Sequence, residues 1–397
     1  MSIQLPQGFL FAGVHSGVKQ NPEKEDLTLV TCPDGATTGG VYTTNLVRAA
    51  PVDFDRSRTP SGDIRAAVVN SGNANACTGE RGERDAAEMA RLTVEACGLP
   101  KDSALVMSTG IIGEHLPMTK IASGIQTAAG QLAEGEDAFM AAARGIITTD
   151  KDTKTASREF EIGGATIRLA GMAKGAGMIG PKMATMLGVL VTDAAVSAEN
   201  AQTALAAAVQ ETFNCISVEG HTSTNDTVLL MCSGKAAETE LAGEDLATFT
   251  EGLTDVCLEL ARAIPADGEG ATHLITVEVA GCATRDDAFV IAKTIADSPL
   301  VKTAVTGNDP NWGRIVSAAG YAGVDFDPKQ ANLRINGFEL YQRGAPVEFD
   351  VEAASNSMRE NPETHVLLTL GEGDASVRFY TSDLTIEYIH INADYHT

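Results

Sequence analysis

The sequence predicts an α/β (α+β) fold in which strands and helices pack in layers. Short apolar runs of strand length alternate along the chain with segments that have the 3.6-residue apolar period of helices. No tandem repeat or low-complexity linker interrupts this alternation. At 397 residues the chain exceeds the usual size of a single hydrophobic core, so we expect two domains, 1–280 and 281–397.

The elements are predicted in order from periodicity and from helix-capping and turn residues. Apolar runs predict strands, and segments with one apolar face that end at glycine or start at a capping residue predict helices. The predicted strands are 65–70, 104–113, the hairpin 158–162 and 166–170, 188–193, 227–232, 274–280 and 376–383. The predicted helices are 84–97, 121–132, 138–147, 246–264 and 286–296, together with one that begins after a Ser197 cap. Several further strands are predicted towards the C-terminus.

Composition argues against several classes of function. The formal net charge of −24 disfavours nucleic acids and anionic membrane surfaces, which attract basic proteins. No apolar run is long enough to span a membrane, and the N-terminus lacks the pattern of a signal peptide. Seven scattered cysteines without a CxxC pair indicate reduced thiols in a cytoplasmic protein. The histidines lack metal-ligand spacing, so no metal site is expected.

Residues 175–180 match the G-x-G-x-x-G pattern of dinucleotide-binding proteins. That motif follows a strand and opens a helix, whereas here Pro181 follows at once and the next predicted element is a strand. We therefore expect a tight backbone turn, which glycine permits, and no nucleotide.

Thr185 follows this glycine-rich turn and precedes an apolar strand. If the chain were cut before it, its hydroxyl would be a nucleophile with its own α-amine as the base. On residue chemistry alone, a threonine that merely favours strand structure explains the position as well.

Three further stretches carry candidate chemistry, each with a plain structural alternative. Thr109 and Gly110 end a predicted strand, where a hydroxyl and an N–H could stabilise an oxyanion or simply form a turn. The polar run 221–227 fits a hydrogen-bond network better than a catalytic triad. Glu269 lies between glycines, where its carboxylate could pair with an ammonium group or remain solvated.

Eight motifs in register resemble the glutamate N-acetyltransferase (ornithine acetyltransferase) family of arginine biosynthesis. The likeness covers nearly the whole chain. The matching runs are VVNSGNANACTG (68–79), STGIIG (108–113), ITTD (147–150), KGAGMIGPKMATML (174–187), STNDTVLL (223–230), DGEGAT (267–272), GNDPNWGRI (307–315) and INADYHT (391–397).

The resemblance implies a precursor that cuts itself between Ala184 and Thr185 into chains 1–184 and 185–397. It implies an αββα sandwich similar to N-terminal-nucleophile hydrolases, a smaller C-terminal α/β domain whose tail returns to the active site, and an α2β2 heterotetramer. Thr185 would be the nucleophile, and Thr109 and Gly110 the oxyanion pair. The implied substrate-binding residues are Thr148, Lys174, Thr185, Glu269, Asn392 and Thr397.

The implied reaction moves an acetyl group from N-acetylornithine to glutamate through an acetyl-Thr185 ester, with no cofactor. Whether acetyl-CoA is a second acetyl donor stays open. The alternatives are a related N-terminal-nucleophile amidase or aminopeptidase, and an acidic binding protein without catalysis. His221 and His273 depart from the residues usual in the family, which bears on substrate preference and not on the reaction class.

Overall fold

The structure is a computed structural model that describes residues 3–180 and 186–394. Two β-sheets, each covered by helices, account for its strands. The elements up to residue 266 are β1 (Leu10–Val14), β2 (Leu27–Tyr42), α1 (Ala50–Arg56), β3 (Ser61–Asn73), α2 (Gly79–Ala96), β4 (Ala104–Ile111), α3 (Met118–Gln131), α4 (Glu136–Ile146), β5 (Lys154–Ile162), β6 (Ala165–Lys174), β7 (Leu187–Thr192), α5 (Ala198–Glu211), β8 (Ile216–Ser217), β9 (Thr227–Cys232) and α6 (Gly243–Ala266).

The remaining elements build the second sheet and its helices. They are β10 (Leu274–Cys282), α7 (Arg285–Ala296), α8 (Pro299–Thr306), α9 (Trp312–Gly320), β11 (Asn332–Ile335), β12 (Phe338–Gln342), β13 (Ala345–Pro346), α10 (Val351–Glu360), β14 (Glu363–Thr369), β15 (Ala375–Ser382) and α11 (Ile386–Asp394).

The long strand β2 joins the two halves of the first sheet. The strand order is β4-β3-β2-β9-β7-β6-β5, and β1 also pairs with β2. Residues 27–31 of β2 pair with 66–70 of β3, whereas residues 37–42 pair with 227–232 of β9. The register with β3 shifts between these two stretches, so β2 carries the chain from one half of the sheet to the other.

The two halves pack face to face, with helices outside each. Along β3, Val68 belongs to a buried cluster with Met89 of α2, whereas its neighbour Val69 is buried in a cluster with Val189 of β7. Along β7, Val189 faces this inner cluster, whereas Leu190 packs with α5 and α6. Because alternate strand residues point to opposite faces, the layers are helix, sheet, sheet and helix. The predicted αββα sandwich is therefore confirmed.

The second sheet has the order β13-β12-β11-β14-β10-β15-β8. Helices α7 and α9 pack on it around a separate buried cluster. Its strand β10 begins at Leu274, so the predicted domain boundary at residue 280 falls inside a strand. Its edge strand β8 comes from the first part of the chain and pairs in parallel with β15. The part of the chain that builds the first sheet thus also contributes one strand to the second sheet. The division into domains stays a prediction.

Most predicted elements before residue 300 are present within a few residues, and Ser197 caps α5 by accepting a hydrogen bond from the Asn200 amide. Several strands follow α7, as predicted, and α8, α9, α10 and α11, which the sequence pattern did not predict, also lie there. Helix α8 begins at Ser298-Pro299, a cap followed by proline at the first helical position. Helix α10 begins after Asp350, whose carboxylate accepts from the Ala353 amide.

The helix-on-sheet packing of α6 can be tested by truncating Leu253, which is fully buried against the first sheet. We expect Leu253→Ala to cost about 2–5 kcal/mol, because the cavity it leaves cannot collapse completely. The measurement is the midpoint of thermal unfolding. Leu46→Ala is the matched control, since Leu46 is 91% exposed and its truncation should leave the midpoint unchanged. Equal effects of the two variants would contradict the assigned packing.

Candidate active site

One cavity collects the predicted site residues that the structure describes. It lies where β4 and β6 end, and its wall includes the segment just before β9. Thr109, Gly110, Thr148, Lys174, Glu269 and Asn392 all line it, although they are far apart in the sequence. The other described lining residues are Ala74, Ile112, Thr149, Gly177, Met178, Ser223, Thr224 and Asn225.

Thr109 and Gly110 lie near the end of strand β4, where the backbone of Gly110 has a conformation that favours glycine. Gly110 has φ = +133°, and a Cβ atom on it would lie 2.2 Å from the carbonyl carbon of Gly72 on the parallel strand β3. The backbone of β3 therefore packs directly against Gly110, and a side chain at this position would clash with it.

Lys174 ends β6 and is buried, with 2% of its surface exposed. Its Nζ lies 3.4 Å from the Thr109 hydroxyl oxygen. Burial lowers the pKa of this lysine, and attraction to Asp150, Asp226 and Glu269 opposes the shift. A buried ammonium group next to Thr109 can bind a carboxylate or stabilise developing negative charge.

Asp150 holds the surroundings of Lys174 together. Its buried carboxylate accepts hydrogen bonds from the Thr148 amide at 3.0 Å, the Gly175 amide at 2.7 Å and the Lys154 ammonium at 2.7 Å. Burial by itself raises the pKa of Asp150, but the charges of Lys174 and Lys154 outweigh it and lower the pKa to about 2. Asp150 is therefore a permanent anion that fixes both Thr148 and the end of β6.

Asp226 anchors the start of β7 beside Lys174. Its Oδ1 accepts the Met186 amide at 2.7 Å, and the next residue, Leu187, pairs with Lys174 on one side and Thr227 on the other. Thr185, the predicted nucleophile, and Ala184 lie outside the described residues. Met186 follows the predicted nucleophile in the sequence, and its amide is held at the site by Asp226.

Glu269 and Asn392 meet across the cavity wall. The Asn392 side-chain amide donates to Glu269 Oε2 at 2.9 Å, and the Glu269 amide donates to the Ala176 carbonyl at 2.8 Å. Gly270 lets α11 approach closely, because a Cβ there would lie 2.5 Å from the Tyr388 nitrogen. The C-terminal helix thus lies over the loop that carries Glu269. Thr397 lies outside the described residues.

The polar run 221–227 is a hydrogen-bond network, as predicted. The Asn225 side-chain amide donates to the Ala74 carbonyl at 2.6 Å and the Ser108 carbonyl at 2.8 Å, which ties it to the end of β4. Asn225 Oδ1 accepts from the Thr224 hydroxyl at 2.6 Å. His221 is exposed, and His273 contacts Asp383 and the Met358 carbonyl instead of the cavity.

Sequence reasoning missed Asp150, Lys154 and Asp226. Asp150 and Asp226 end the polar motifs ITTD and STND, next to buried strands, and that position was the available signal. The described residues contain no group of acids, histidines and cysteines arranged to hold a metal ion. Across those same residues, no helix has the length and apolarity needed to cross a membrane.

Comparison with known proteins agrees with this geometry. The model of the ArgJ family matches residues 10–397. The arginine biosynthesis bifunctional protein ArgJ of Rhodopirellula baltica is 47% identical over 99% of this chain and 96% of its own, and that of Symbiobacterium thermophilum is 45% identical over 100% and 98%. The crystal structure of the Bacillus halodurans protein of the same name is 40% identical with a TM-score of 0.50, and the match covers 51% of this chain and 96% of that chain. The chain therefore belongs to the ArgJ family.

Proposed function

We propose that this protein transfers the acetyl group of N-acetylornithine to glutamate, with Thr185 as the nucleophile, in arginine biosynthesis. The observation that carries the proposal is the convergence of six predicted site residues on one cavity in a chain of the ArgJ family. The relatives named above are arginine biosynthesis proteins. The cavity is lined by Thr109 and Gly110, a buried lysine and a carboxylate, which are residue types suited to this reaction.

In the proposed mechanism, the Thr185 hydroxyl attacks the acetyl carbonyl while the Thr185 α-amine takes the hydroxyl proton. The Thr109 hydroxyl and the Gly110 N–H donate to the oxyanion. When the C–N bond breaks, the Thr185 ammonium returns the proton to the leaving ornithine nitrogen. The acetyl-Thr185 ester then reacts with the glutamate amine by the same steps in reverse.

Lys174 and Glu269 are suited to orient the two amino acid substrates. The buried Lys174 ammonium can pair with a substrate carboxylate, and the half-buried Glu269 carboxylate with a substrate ammonium group. Thr148 lines the same wall, and Asn392 fixes Glu269. Holding glutamate in this way favours transfer over hydrolysis of the ester by water.

The proposal also covers the self-cleavage of the chain, a second acetyl donor and the assembly of the cleaved chains. A self-cleavage before Thr185 gives chains 1–184 and 185–397, and the B. halodurans structure supports it, because that chain matches only half of this one along nearly all of its own length. Thr397 would belong to the substrate site, acetyl-CoA would be a second donor, and two copies of each chain would form an α2β2 heterotetramer. The seven free cysteines fit a cytoplasmic location.

Intact mass tests the processing. Wild-type protein should give two masses, for 1–184 and 185–397. The proposed mechanism needs a free α-amine on Thr185 as the base, and only cleavage before this residue provides one. Thr185→Ala should give one full-length mass, whereas Thr185→Ser, which keeps a hydroxyl, should still be cleaved. A single full-length mass for the wild type would refute the proposed nucleophile.

Product analysis tests the reaction class. With N-acetylornithine as donor, we expect N-acetylglutamate to form when glutamate is present and little free acetate to form when it is absent. Acetyl-CoA replaces N-acetylornithine in a parallel reaction to test the second donor. Acetate release at the same rate with and without glutamate would instead indicate an amidase.

The proposed role of Thr109 as a hydrogen-bond donor to the oxyanion is tested with Thr109→Val. This substitution removes the hydroxyl and keeps a similar side-chain volume. Losing one donor to the oxyanion should lower kcat by roughly 100- to 1000-fold. Thr109→Ser keeps the hydroxyl and should retain most of the activity. Steady-state kinetics on fully cleaved enzyme make the comparison, and equal kcat for the two variants would remove Thr109 from the mechanism.

A further inference from the structure

A cleft with a basic wall lies beside the active-site cavity. It has a volume of about 640 Å³ and is bordered by the segment between β1 and β2, the ends of β3 and β4 and the start of α3. Small-molecule sites typically have volumes of about 300–1,000 Å³. The described residues of its wall include three lysines, Lys19, Lys24 and Lys120, and one acid, Glu114. In a chain with a net charge of −24, such a group of ammonium side chains favours an anionic ligand.

The cleft and the active-site cavity share part of their walls. Thr148 and Thr149 line both of them. The end of β4 runs between the two spaces, because Ile111 lines the cleft whereas its neighbours Gly110 and Ile112 line the active-site cavity. A molecule that occupies the cleft therefore ends beside the active-site cavity, at the two threonines.

The loop that carries Lys19 is held in place by bonds of its own. The buried Asp26 carboxylate accepts hydrogen bonds from three backbone amides, those of Ser16 at 2.5 Å, Gly17 at 3.1 Å and Lys19 at 2.9 Å. The Lys120 ammonium group donates to the Gly17 carbonyl at 2.6 Å, which ties the first turn of α3 to the same loop. The wall of the cleft is therefore formed before any ligand binds, which lowers the entropic cost of binding.

The Lys19 side chain connects this loop to the shared wall. Its ammonium group donates to the Glu25 and Ile147 carbonyls, each at 2.8 Å, and Ile147 directly precedes Thr148. An ammonium group has three N–H donors. These two bonds leave a third donor without a partner in the described part of the chain, and a ligand in the cleft can accept from it.

Positive charge extends from the cleft to the active-site cavity. Burial lowers the pKa of Lys19 to about 8. Asp26 and Asp150 oppose this shift, whereas the ammonium groups of Lys24 and Lys174 add to it. Lys24 lines the cleft and Lys174 lines the active-site cavity, so Lys19 lies between two other cations. An anion bound in the cleft would reduce their mutual repulsion.

We propose that this cleft binds the phosphate-bearing end of a nucleotide thioester, the chemical class of acetyl-CoA, and that the acyl end reaches the active-site cavity past Thr148 and Thr149. This inference rests on the proposed function. Lysine ammonium groups bind phosphates as compact point charges, so three of them suit a ligand with several phosphates.

The acyl step is the one proposed for N-acetylornithine, with sulfur as the leaving atom. The Thr185 hydroxyl attacks the thioester carbonyl, and its proton passes through the Thr185 α-amine to the departing sulfur. The C–S bond breaks and the free thiol leaves. The acetyl-Thr185 ester that remains is the same ester that glutamate consumes.

The test is the double variant Lys24→Ala/Lys120→Ala, which removes two charges of the cleft and leaves the active-site residues in place. Both lysines are exposed, so their truncation should cost little stability. Lys24→Arg/Lys120→Arg keeps the charges. A second control is Lys329→Ala/Arg343→Ala, because Lys329 and Arg343 line another basic cavity, of about 510 Å³, that has no described lining residue in common with the active-site cavity.

KM is measured for acetyl-CoA and for N-acetylornithine, with glutamate as the acceptor. We expect Lys24→Ala/Lys120→Ala to raise KM for acetyl-CoA by about 10-fold, because charge-assisted hydrogen bonds to phosphate are lost. KM for N-acetylornithine should not change, and both control variants should keep the wild-type values. Higher ionic strength should raise KM for acetyl-CoA more in the wild type than in Lys24→Ala/Lys120→Ala, which a purely structural change would not cause.

Adenosine bisphosphate, which carries phosphates but no acyl arm, should compete with acetyl-CoA in the wild type. Equal inhibition by inorganic phosphate would overturn the inference, since the cleft would then be a site for free phosphate. Equal KM for acetyl-CoA in the wild type and Lys24→Ala/Lys120→Ala would also overturn it, as would equal rises in KM for both donors. A wild type that transfers acetyl from N-acetylornithine but neither uses nor binds acetyl-CoA would refute this inference alone. Absence of transfer from N-acetylornithine, with lysine-dependent binding of adenosine bisphosphate, would instead refute the proposed function and support the cleft as a binding site.

Discussion

The Asp150 carboxylate is the interaction on which the geometry of the site depends. It accepts from the Thr148 and Gly175 amides and from Lys154, and Lys154 bonds in turn to Asp267 at 2.6 Å. These contacts tie together the turn before β5, the end of β6 and the loop after α6 that carries Glu269. Removing one partner of such a buried ion network leaves an uncompensated charge, at a typical cost of 3–5 kcal/mol.

The same network explains how a lysine remains buried at the site. Lys174 has little exposed surface, and burial alone would favour its neutral form. Asp150, Asp226 and Glu269 supply the compensating negative charge from three different segments. The surface of the protein is strongly acidic, with a net charge of −24, so a local cation is needed where an anionic substrate must bind.

The fold brings the site together by bending one sheet so that its two halves face each other. Strand β2 pairs with β3 near its start and with β9 near its end, which places the end of β4 against the segment before β9. Asn225 then bridges the halves by donating to the Ala74 and Ser108 carbonyls. The second sheet takes part through α11, whose Asn392 bonds to Glu269. The cavity is thus built from segments that are distant in the sequence.

The sequence by itself determined the class of the fold and most elements before residue 300, because apolar periodicity and capping residues are visible in short windows. The six residues that share one cavity were implied by the resemblance of eight sequence motifs to a known family. Helices α8 to α11 were not predicted because each has only 8 to 10 residues, and α8 and α9 also contain proline or glycine. Only the tertiary structure decided the bond from the Gly175 amide to Asp150, the bond from the Met186 amide to Asp226 and the crossing of β8 into the second sheet. These contacts join residues 25 to 164 positions apart, and no local pattern encodes which of many polar residues will be buried together.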